Sequence, residues 1–240
     1  MDAELIRRQS ALEDRHWWFR ARAEIVRDLI PPGDPGRELL DVGCGWGGLT
    51  RHLTGLGRVR GVEPSEVARE EAARRGLEVL DGSAESLPVP DRSIDVAVVT
   101  DVLEHLDDDE RALREVVRAL RPGGVAVITV PAYGWLFSSH DRALSHRRRY
   151  GRRQLVARVR AAGLVPERVT HYNTVLFLPI AAVRLATRNR PPSEDARHTW
   201  PPLNALLYRL FASERALMRR RPLPVGLSLA VVARRPPAPG

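Results

Sequence analysis

Short apolar runs alternate along the chain with longer segments whose apolar residues recur at helical spacing. A short apolar run bounded by turn residues predicts a buried strand, and a spacing of three to four residues predicts a helix packed against it. This alternation predicts an α/β fold in which a mostly parallel sheet carries helices on both faces. The predicted strands are residues 39–41, 58–63, 77–81, 94–100, 125–130, 165–172 and 226–234.

A glycine-rich turn follows the first predicted strand. Residues 39–50 have the sequence LLDVGCGWGGLT, in which Asp41 ends the strand and a helical pattern begins after the last glycine. Gly43 and Gly45 lack a Cβ and can adopt positive φ, so the backbone can pass close to a ligand with its amides facing it. The pattern therefore predicts a nucleotide-binding turn.

Two kinds of nucleotide site share this pattern. Gly43, Gly45 and Gly48 satisfy the G-x-G-x-x-G spacing of dinucleotide-binding folds, and Glu63 ends the second predicted strand, as the acidic residue of those folds does. All 38 basic residues of the chain are arginine. The absence of lysine excludes a lysine base or Schiff base and removes the Tyr-Lys pair of short-chain dehydrogenases. The composition therefore weakens the dinucleotide interpretation but leaves it open.

Length and composition indicate one α/β domain with an appendage. The chain has 240 residues, of which 43% are hydrophobic, enough for a substantial core. The single cysteine, Cys44, cannot form an internal disulfide, and no signal sequence or apolar stretch of membrane-spanning length is evident. We therefore expect a cytoplasmic protein.

Four segments resemble motifs of the class I S-adenosylmethionine-dependent methyltransferases. The Asp-x-Gly-x-Gly sequence that begins at Asp41 is similar to the first motif of that family. Residues 82–89, GSAESLPV, residues 100–108, TDVLEHLDD, and residues 121–124, RPGG, are similar to later motifs and occur in the same order. The resemblance covers residues 39–131. It implies a Rossmann-like, seven-stranded, mostly parallel sheet whose last strand is antiparallel to the fifth.

The resemblance also implies S-adenosylmethionine as the cofactor and a set of residues that hold it. Glu63 is placed to accept hydrogen bonds from both ribose hydroxyls. Ser83 stands where the family usually has an aspartate that reaches the adenine amino group, and its shorter side chain shifts that role toward the backbone of Ala84. The predicted cofactor-binding residues are Trp17, Arg22, Asp41, Gly43, Cys44, Gly45, Glu63, Pro64, Ser83, Ala84, Glu85, Thr100, Asp101 and Val102.

An aromatic cluster marks the N-terminal segment. Residues 1–30 predict a helix centred on HWWFRARAEIVRDLI. Because Trp17, Trp18 and Phe19 are consecutive, they cannot all face the core. They either pack this helix on the sheet or form a lid over the cofactor. The lid is implied by resemblance to small-molecule methyltransferases that carry an N-terminal His-Trp-Trp-Phe helix.

Four parts of the chain are predicted from these patterns. Residues 1–36 form an N-terminal helical lid, residues 37–172 the S-adenosylmethionine-binding core, residues 173–224 a helical insertion, and residues 225–240 the last strand of the core and a tail. The insertion contains an amphipathic helix that packs against the protein or a second subunit in a homodimer. Because arginines flank its apolar stretches, a shallow membrane contact is the alternative.

The acceptor is predicted to bind beside residues 133–151, which leave the fifth strand at the ligand edge of the sheet. His140, Asp141 and His146 are the predicted catalytic residues, required only if the acceptor must lose a proton. No metal site is predicted, since His140 and His146 lack a third ligand at a telling spacing. Arginines in this segment can clamp an anionic group. The predicted substrate-binding residues are His105, Tyr133, Arg147, Arg149 and Tyr150.

Together these features predict methyl transfer from S-adenosylmethionine to a small acceptor that is anionic or linked to a carrier. Proximity and in-line alignment would supply most of the rate. The alternatives are a non-catalytic S-adenosylmethionine-binding regulator or partner subunit, and an NAD(P)-dependent oxidoreductase. The net charge is +8, but the chain has no recognisable nucleic-acid-binding module. We therefore expect no nucleic-acid partner.

Overall fold

Seven strands in one sheet, with helices on both faces, make up the computed structural model, which describes residues 13–188 and 199–238. The predicted helical residues 1–12 and part of the predicted insertion lie outside the described residues. The strands are β1 Glu38–Val42, β2 Arg58–Glu63, β3 Val79–Asp81, β4 Ile94–Thr100, β5 Leu120–Pro131, β6 Val165–Tyr172 and β7 Ser228–Arg234. The helices are α1 Trp17–Leu29, α2 Gly48–Leu53, α3 Glu66–Arg74, α4 Asp109–Ala119, α5 Ser139–Ala143, α6 Arg152–Ala161, α7 Phe177–Ala186 and α8 Pro201–Arg220, with a 3-10 turn at Gly134–Leu136.

The strand order is β3-β2-β1-β4-β5-β7-β6. Neighbouring strands are parallel except around β7, which runs antiparallel to both β5 and β6. This topology confirms the predicted seven-stranded, mostly parallel sheet, including the antiparallel last strand beside the fifth. The strand order reverses between β1 and β4, and ligands of open α/β sheets bind at such a switch point, outside the carboxyl ends of the strands.

Each face of the sheet carries its own apolar core, because successive side chains of a strand point to opposite faces. Leu40 and Ala97 pack on the face covered by α4 and α6. Leu39 and Val96, their chain neighbours, pack on the face covered by α1, α2 and α8. The central strands are therefore buried on both sides, which explains why they are continuous apolar runs in the sequence.

The helical insertion packs on the N-terminal helix. The ring of Phe211 in α8 is fully buried between Trp17, whose ring centroid lies 5.9 Å away, and Tyr172, which stacks parallel to it at 6.2 Å. Arg215 of α8 donates to a carboxylate oxygen of Glu24 in α1 at 2.5 Å. The two predicted appendages therefore form one layer over the same face of the sheet.

The outer faces of α7 and α8 expose large apolar side chains. Leu178 and Val183 of α7 are 76% and 61% exposed, and Leu206 of α8 is 52% exposed. Among the described residues, every helix is too short or too polar to cross a membrane. These apolar side chains lie on the surface of the predicted insertion.

A buried carboxylate organises the segment that follows β5. Asp141 is fully buried and accepts hydrogen bonds from Arg149 Nε at 2.8 Å, His146 Nδ1 at 3.0 Å and the Ser138 amide at 2.9 Å. Burial alone would raise the pKa of Asp141, but the hydrogen bonds from His146 and Arg149 outweigh it and hold the pKa below its usual range. Arg149 also donates to the Ala132 carbonyl at 3.0 Å. One charge pair thus ties α5 to the end of β5.

We expect Asp141→Asn to destabilise the fold by about 3 to 5 kcal/mol at pH 7, because it leaves the Arg149 guanidinium buried without its counter-charge. The folded pKa of Asp141 is depressed. Its stabilisation is therefore fully present above the unfolded pKa of about 3.9 and is lost progressively as the pH falls from that value through the depressed folded pKa. Urea unfolding at pH 7 and at about pH 2.5 measures both effects.

Asp107→Asn is the matched control, because Asp107 pairs with Arg147 but is 75% exposed. We expect it to cost less than about 1 kcal/mol at either pH. Equal losses for the two variants at pH 7, or a loss for Asp141→Asn that does not shrink in acid, would contradict the assigned role.

Candidate cofactor and acceptor site

The glycine loop after β1 has the geometry that the sequence predicts. Gly43 and Gly45 have φ of 70° and 54°, in the left-handed region. The amides of Gly43 and Cys44 donate to the Val62 carbonyl at 2.8 and 3.1 Å, so the loop crosses the end of β2. A Cβ built at Gly43 would lie 2.5 Å from a methyl group of Val102. The loop therefore lies directly against the segment that follows β4.

Glu63 holds its carboxylate beside this loop at the end of β2. One oxygen accepts from the Gly45 amide and the other from the Ser65 amide, each at 3.0 Å. Asp41 instead turns inward, where it is 2% exposed and accepts from the Thr50 hydroxyl at 2.7 Å. Burial raises the pKa of Asp41 to about 6. These contacts support a role for Asp41 in ordering the loop, and its contact with the cofactor stays a prediction.

The remaining predicted residues on this side follow β1, β2 and β3. Cys44 is buried, and burial raises the pKa of its thiol, so it remains protonated and packs against Gly61. Pro64 is exposed after β2, and Ala84 is buried after β3 between the partly buried Ser83 and Glu85. Because these strands are parallel neighbours, the residues that follow them share one edge of the sheet.

The N-terminal helix reaches the site through Arg22. Its guanidinium pairs with the carboxylate of Asp101 and lies 4.5 Å from the centroid of the Trp18 ring. Asp101 follows β4 with a φ of 54°, and Thr100 beside it has a buried hydroxyl with no hydrogen-bond partner among the described residues. Trp17 instead packs on Phe211. This contact supports the packing role of Trp17, and its contact with the cofactor stays a prediction.

Three residues predicted on the acceptor side are buried. Tyr150 is fully buried and donates to a carboxylate oxygen of Asp109 at 2.5 Å. Arg149 is 6% exposed, and Asp141, its partner, is fully buried. The polar groups of these side chains bond to other groups of the protein and are therefore not available to a substrate. The predicted substrate-binding roles of Arg149 and Tyr150, and direct contact of Asp141 with a substrate, are corrected to structural roles.

The other predicted acceptor residues remain accessible. Arg147 is half exposed, donates to the His105 carbonyl at 2.9 Å and pairs with Asp107. Tyr133 follows β5 with a φ of 62° and stacks on His171 at 5.4 Å between ring centroids. His140 lies on the exposed side of α5.

Glu104, His105 and His146 form a cluster between these segments that was not predicted from the sequence. Glu104 is fully buried, and neither carboxylate oxygen has a hydrogen-bond partner within the part of the chain that the structure describes. His146 Nε2 lies 3.9 Å from Glu104 Oε1, and the rings of His105 and His146 meet edge to face at 4.8 Å. Burial raises the pKa of Glu104 well above its usual range. The only sequence signal for Glu104 was its place beside His105 after a strand end.

The fold and the loop geometry agree with comparisons to known proteins. Residues 40–128 match the family model described as a methyltransferase domain. A "Probable S-adenosylmethionine-dependent methyltransferase" of Mycolicibacterium smegmatis is 37% identical over 123 residues, covering 50% of this chain and 48% of that protein. The chain thus spans about half the length of this relative.

Two solved structures share the fold over most of the chain. A geranyl diphosphate methyltransferase in complex with S-adenosylmethionine has a TM-score of 0.63 at 19% identity and covers 90% of this chain and 84% of its own. The cyclase SpnF has a TM-score of 0.62 at 25% identity, with coverages of 92% and 84%. Family model, relative and fold agree. Residues 40–128 thus match a methyltransferase domain, and the fold of most of the chain is shared with these two solved structures.

Proposed function

We propose that this protein methylates a small acceptor that is anionic or attached to an anionic carrier. The observation that best supports the proposal is the close approach of the glycine loop to Val102, in the segment after β4 that also carries Asp101 and Glu104. When bound, S-adenosylmethionine supplies a methyl group that its sulfonium already activates. The protein's task is then to hold the two reactants in line and to exclude water.

On the cofactor side, the residues present suit this ligand. The loop at Gly43 and Gly45 has no side chains to obstruct a close approach. Glu63 holds two carboxylate oxygens at the strand end, where they would accept from ribose hydroxyls. Ser83 and the backbone of Ala84 follow β3, next to Glu63 in the sheet, and would meet the adenine. Arg22 would pair with the carboxylate of the methionine part, in a bidentate fork.

On the acceptor side, His146 is the residue best placed to remove a proton. Its Nδ1 lies 3.0 Å from Asp141, which remains ionised and so favours the tautomer with the proton on Nδ1. The other nitrogen, Nε2, is then a free base that faces Glu104. Asp141 thus acts as a positioning residue for His146. A base of this kind is needed only for an acceptor that must lose a proton.

The anionic nature of the acceptor is supported by a basic groove between α6 and β6. The groove has a volume of about 420 Å³ and is lined by four arginines and one glutamate: Arg152, Arg153, Arg160, Arg168 and Glu167. The clamp predicted at Arg147 and Arg149 is reduced to Arg147, since Arg149 is buried. We propose that the groove attracts an acidic group of the acceptor or its carrier, while the reacting atom lies at the carboxyl edge of the sheet.

The second candidate is a protein that binds S-adenosylmethionine without transferring its methyl group. One structure with the same fold, SpnF, is named for a cyclisation. Detection of methylated product with a panel of small acids and their neutral esters separates an enzyme from such a binder. Calorimetric titration with S-adenosylmethionine and with NAD tests the remaining oxidoreductase alternative.

We expect Glu63→Ala to weaken S-adenosylmethionine binding at least tenfold, because each charged hydrogen bond to a ribose hydroxyl contributes roughly 1.5 to 3 kcal/mol. Isothermal titration calorimetry measures the change. Glu66→Ala is the matched control, since Glu66 is an exposed carboxylate on the first turn of the next helix. Similar affinities for wild type and Glu63→Ala, with circular dichroism unchanged, would remove Glu63 from the ribose site.

We expect the double variant Arg153→Ala with Arg160→Ala to raise KM for an acidic acceptor about fivefold and to leave cofactor affinity unchanged. The effect should vanish at high salt and for a neutral ester of the same acceptor. Arg74→Ala, an exposed arginine beside the opposite edge of the sheet, is the control. The anionic assignment would be refuted if the preferred acceptor were neutral and its KM changed neither with the substitutions nor with the salt concentration.

The exposed apolar side chains of α7 and α8 support a contact with a second copy of the chain, and a shallow lipid contact stays the alternative. We expect light scattering to give twice the chain mass, and Leu178→Asp with Leu206→Asp to halve it. A monomeric wild type that sediments with anionic phospholipid vesicles would favour the lipid interface instead.

A cytoplasmic location of the protein stays a prediction.

A further inference from the structure

The carboxylate of Glu104 is the unexplained group of this site. It is fully buried, and both of its oxygens lack a hydrogen-bond partner among the described residues. A buried polar group without a partner costs free energy, so native proteins pair such groups with another side chain, water or an ion. The nearest basic atom is His146 Nε2, at 3.9 Å from Oε1, which is too far for a hydrogen bond.

His146 is held in the way that proteins hold histidine ligands of metals. Its Nδ1 bonds to the buried carboxylate of Asp141 at 3.0 Å, which fixes both the orientation of the ring and its tautomer. A carboxylate behind a histidine ring is the usual partner of a metal-bound imidazole, and it leaves Nε2 free to bind the ion. The backbone supports this placement, since the Arg147 amide donates to the Glu104 carbonyl at 2.8 Å.

His105 supplies a third ligand atom. One ligand atom from each of Glu104, His105 and His146 can be chosen so that all lie within 4.8 Å of one another. Two atoms bound about 2.1 Å from the same ion are at most about 4.2 Å apart, so the 3.9 Å between His146 and Glu104 already fits. His105 is exposed, so a small rotation of its ring completes the set.

We propose that Glu104, His105 and His146 bind one divalent transition-metal ion, such as zinc, beside the methyl-transfer site. Two imidazoles and one carboxylate suit an ion of this class better than magnesium, which prefers oxygen ligands. Three protein ligands also leave coordination positions open, as in catalytic zinc sites. Arg22 and Arg149 face Glu104 from α1 and from the segment after α5, and Asp101 faces it from the end of β4.

The role of the ion rests on the proposed function. An ion at this position would polarise an oxygen of the acceptor and lower its pKa, so that the proton could leave to solvent water instead of to His146. His146 is then a ligand rather than a base. The sequence analysis considered His140 and His146 as metal ligands. The proposed site keeps His146 but does not include His140.

The test is a calorimetric titration of the full chain, stripped with a chelator, with zinc chloride and no cofactor. We expect one ion per chain, and we expect His146→Ala and His105→Ala each to weaken binding at least about tenfold. Glu104→Gln should do the same. Because Glu104 is buried and its variant can misfold, the exposed His105 gives the decisive variant. Magnesium should bind far more weakly than zinc.

His140→Ala is the matched control, since His140 belongs to the same segment but lies outside the cluster. It should leave zinc affinity unchanged. Failure of the wild type to bind zinc, or equal losses for His140→Ala and His105→Ala, would overturn the proposal. All variants should keep wild-type affinity for S-adenosylmethionine. If the chain binds zinc as expected but does not bind S-adenosylmethionine, the proposed function is refuted while the metal site is supported.

Discussion

The closeness of two backbone segments at the strand switch point sets the geometry on which the site depends. β1 and β4 are parallel neighbours, with Val42 paired to Val99, so both strands end at the same edge of the sheet. The loop after β1 then lies so close to Val102 that only a glycine fits at position 43. Its positive φ restricts the position further. The glycine loop and the segment after β4 are thereby fixed relative to each other, as the proposed proximity mechanism requires.

The acceptor edge is built on buried charge pairs. Asp141 with Arg149, and Asp109 with Arg158, join segments that are distant in the chain. Arg148 similarly donates to the Leu106 carbonyl at 2.9 Å. These three arginines therefore satisfy carboxylates and a carbonyl of the protein itself. A cluster of arginines in the sequence does not by itself create a cationic surface.

Local sequence determined the fold and the conformation of the glycine loop. Strands such as residues 94–100 are short apolar runs buried on both faces, and the conformation of the loop at Gly43 and Gly45 follows from the missing Cβ. These features depend on neighbours in the chain. Glu63 was assigned correctly to a strand end beside the loop, because the carboxyl ends of parallel strands share an edge.

Only the tertiary structure decided which residues of the acceptor side are available. Arg149 and Tyr150 resemble surface residues in the sequence, yet long-range partners, Asp141 and Asp109, draw them into the core. Glu104 and His146 are far apart in the chain and meet because the segment after β5 folds back across the end of β4. The pairing of buried charges depends on contacts between segments that are distant in the chain. Hydrophobic periodicity and local motifs depend on neighbouring residues, so they do not predict such contacts.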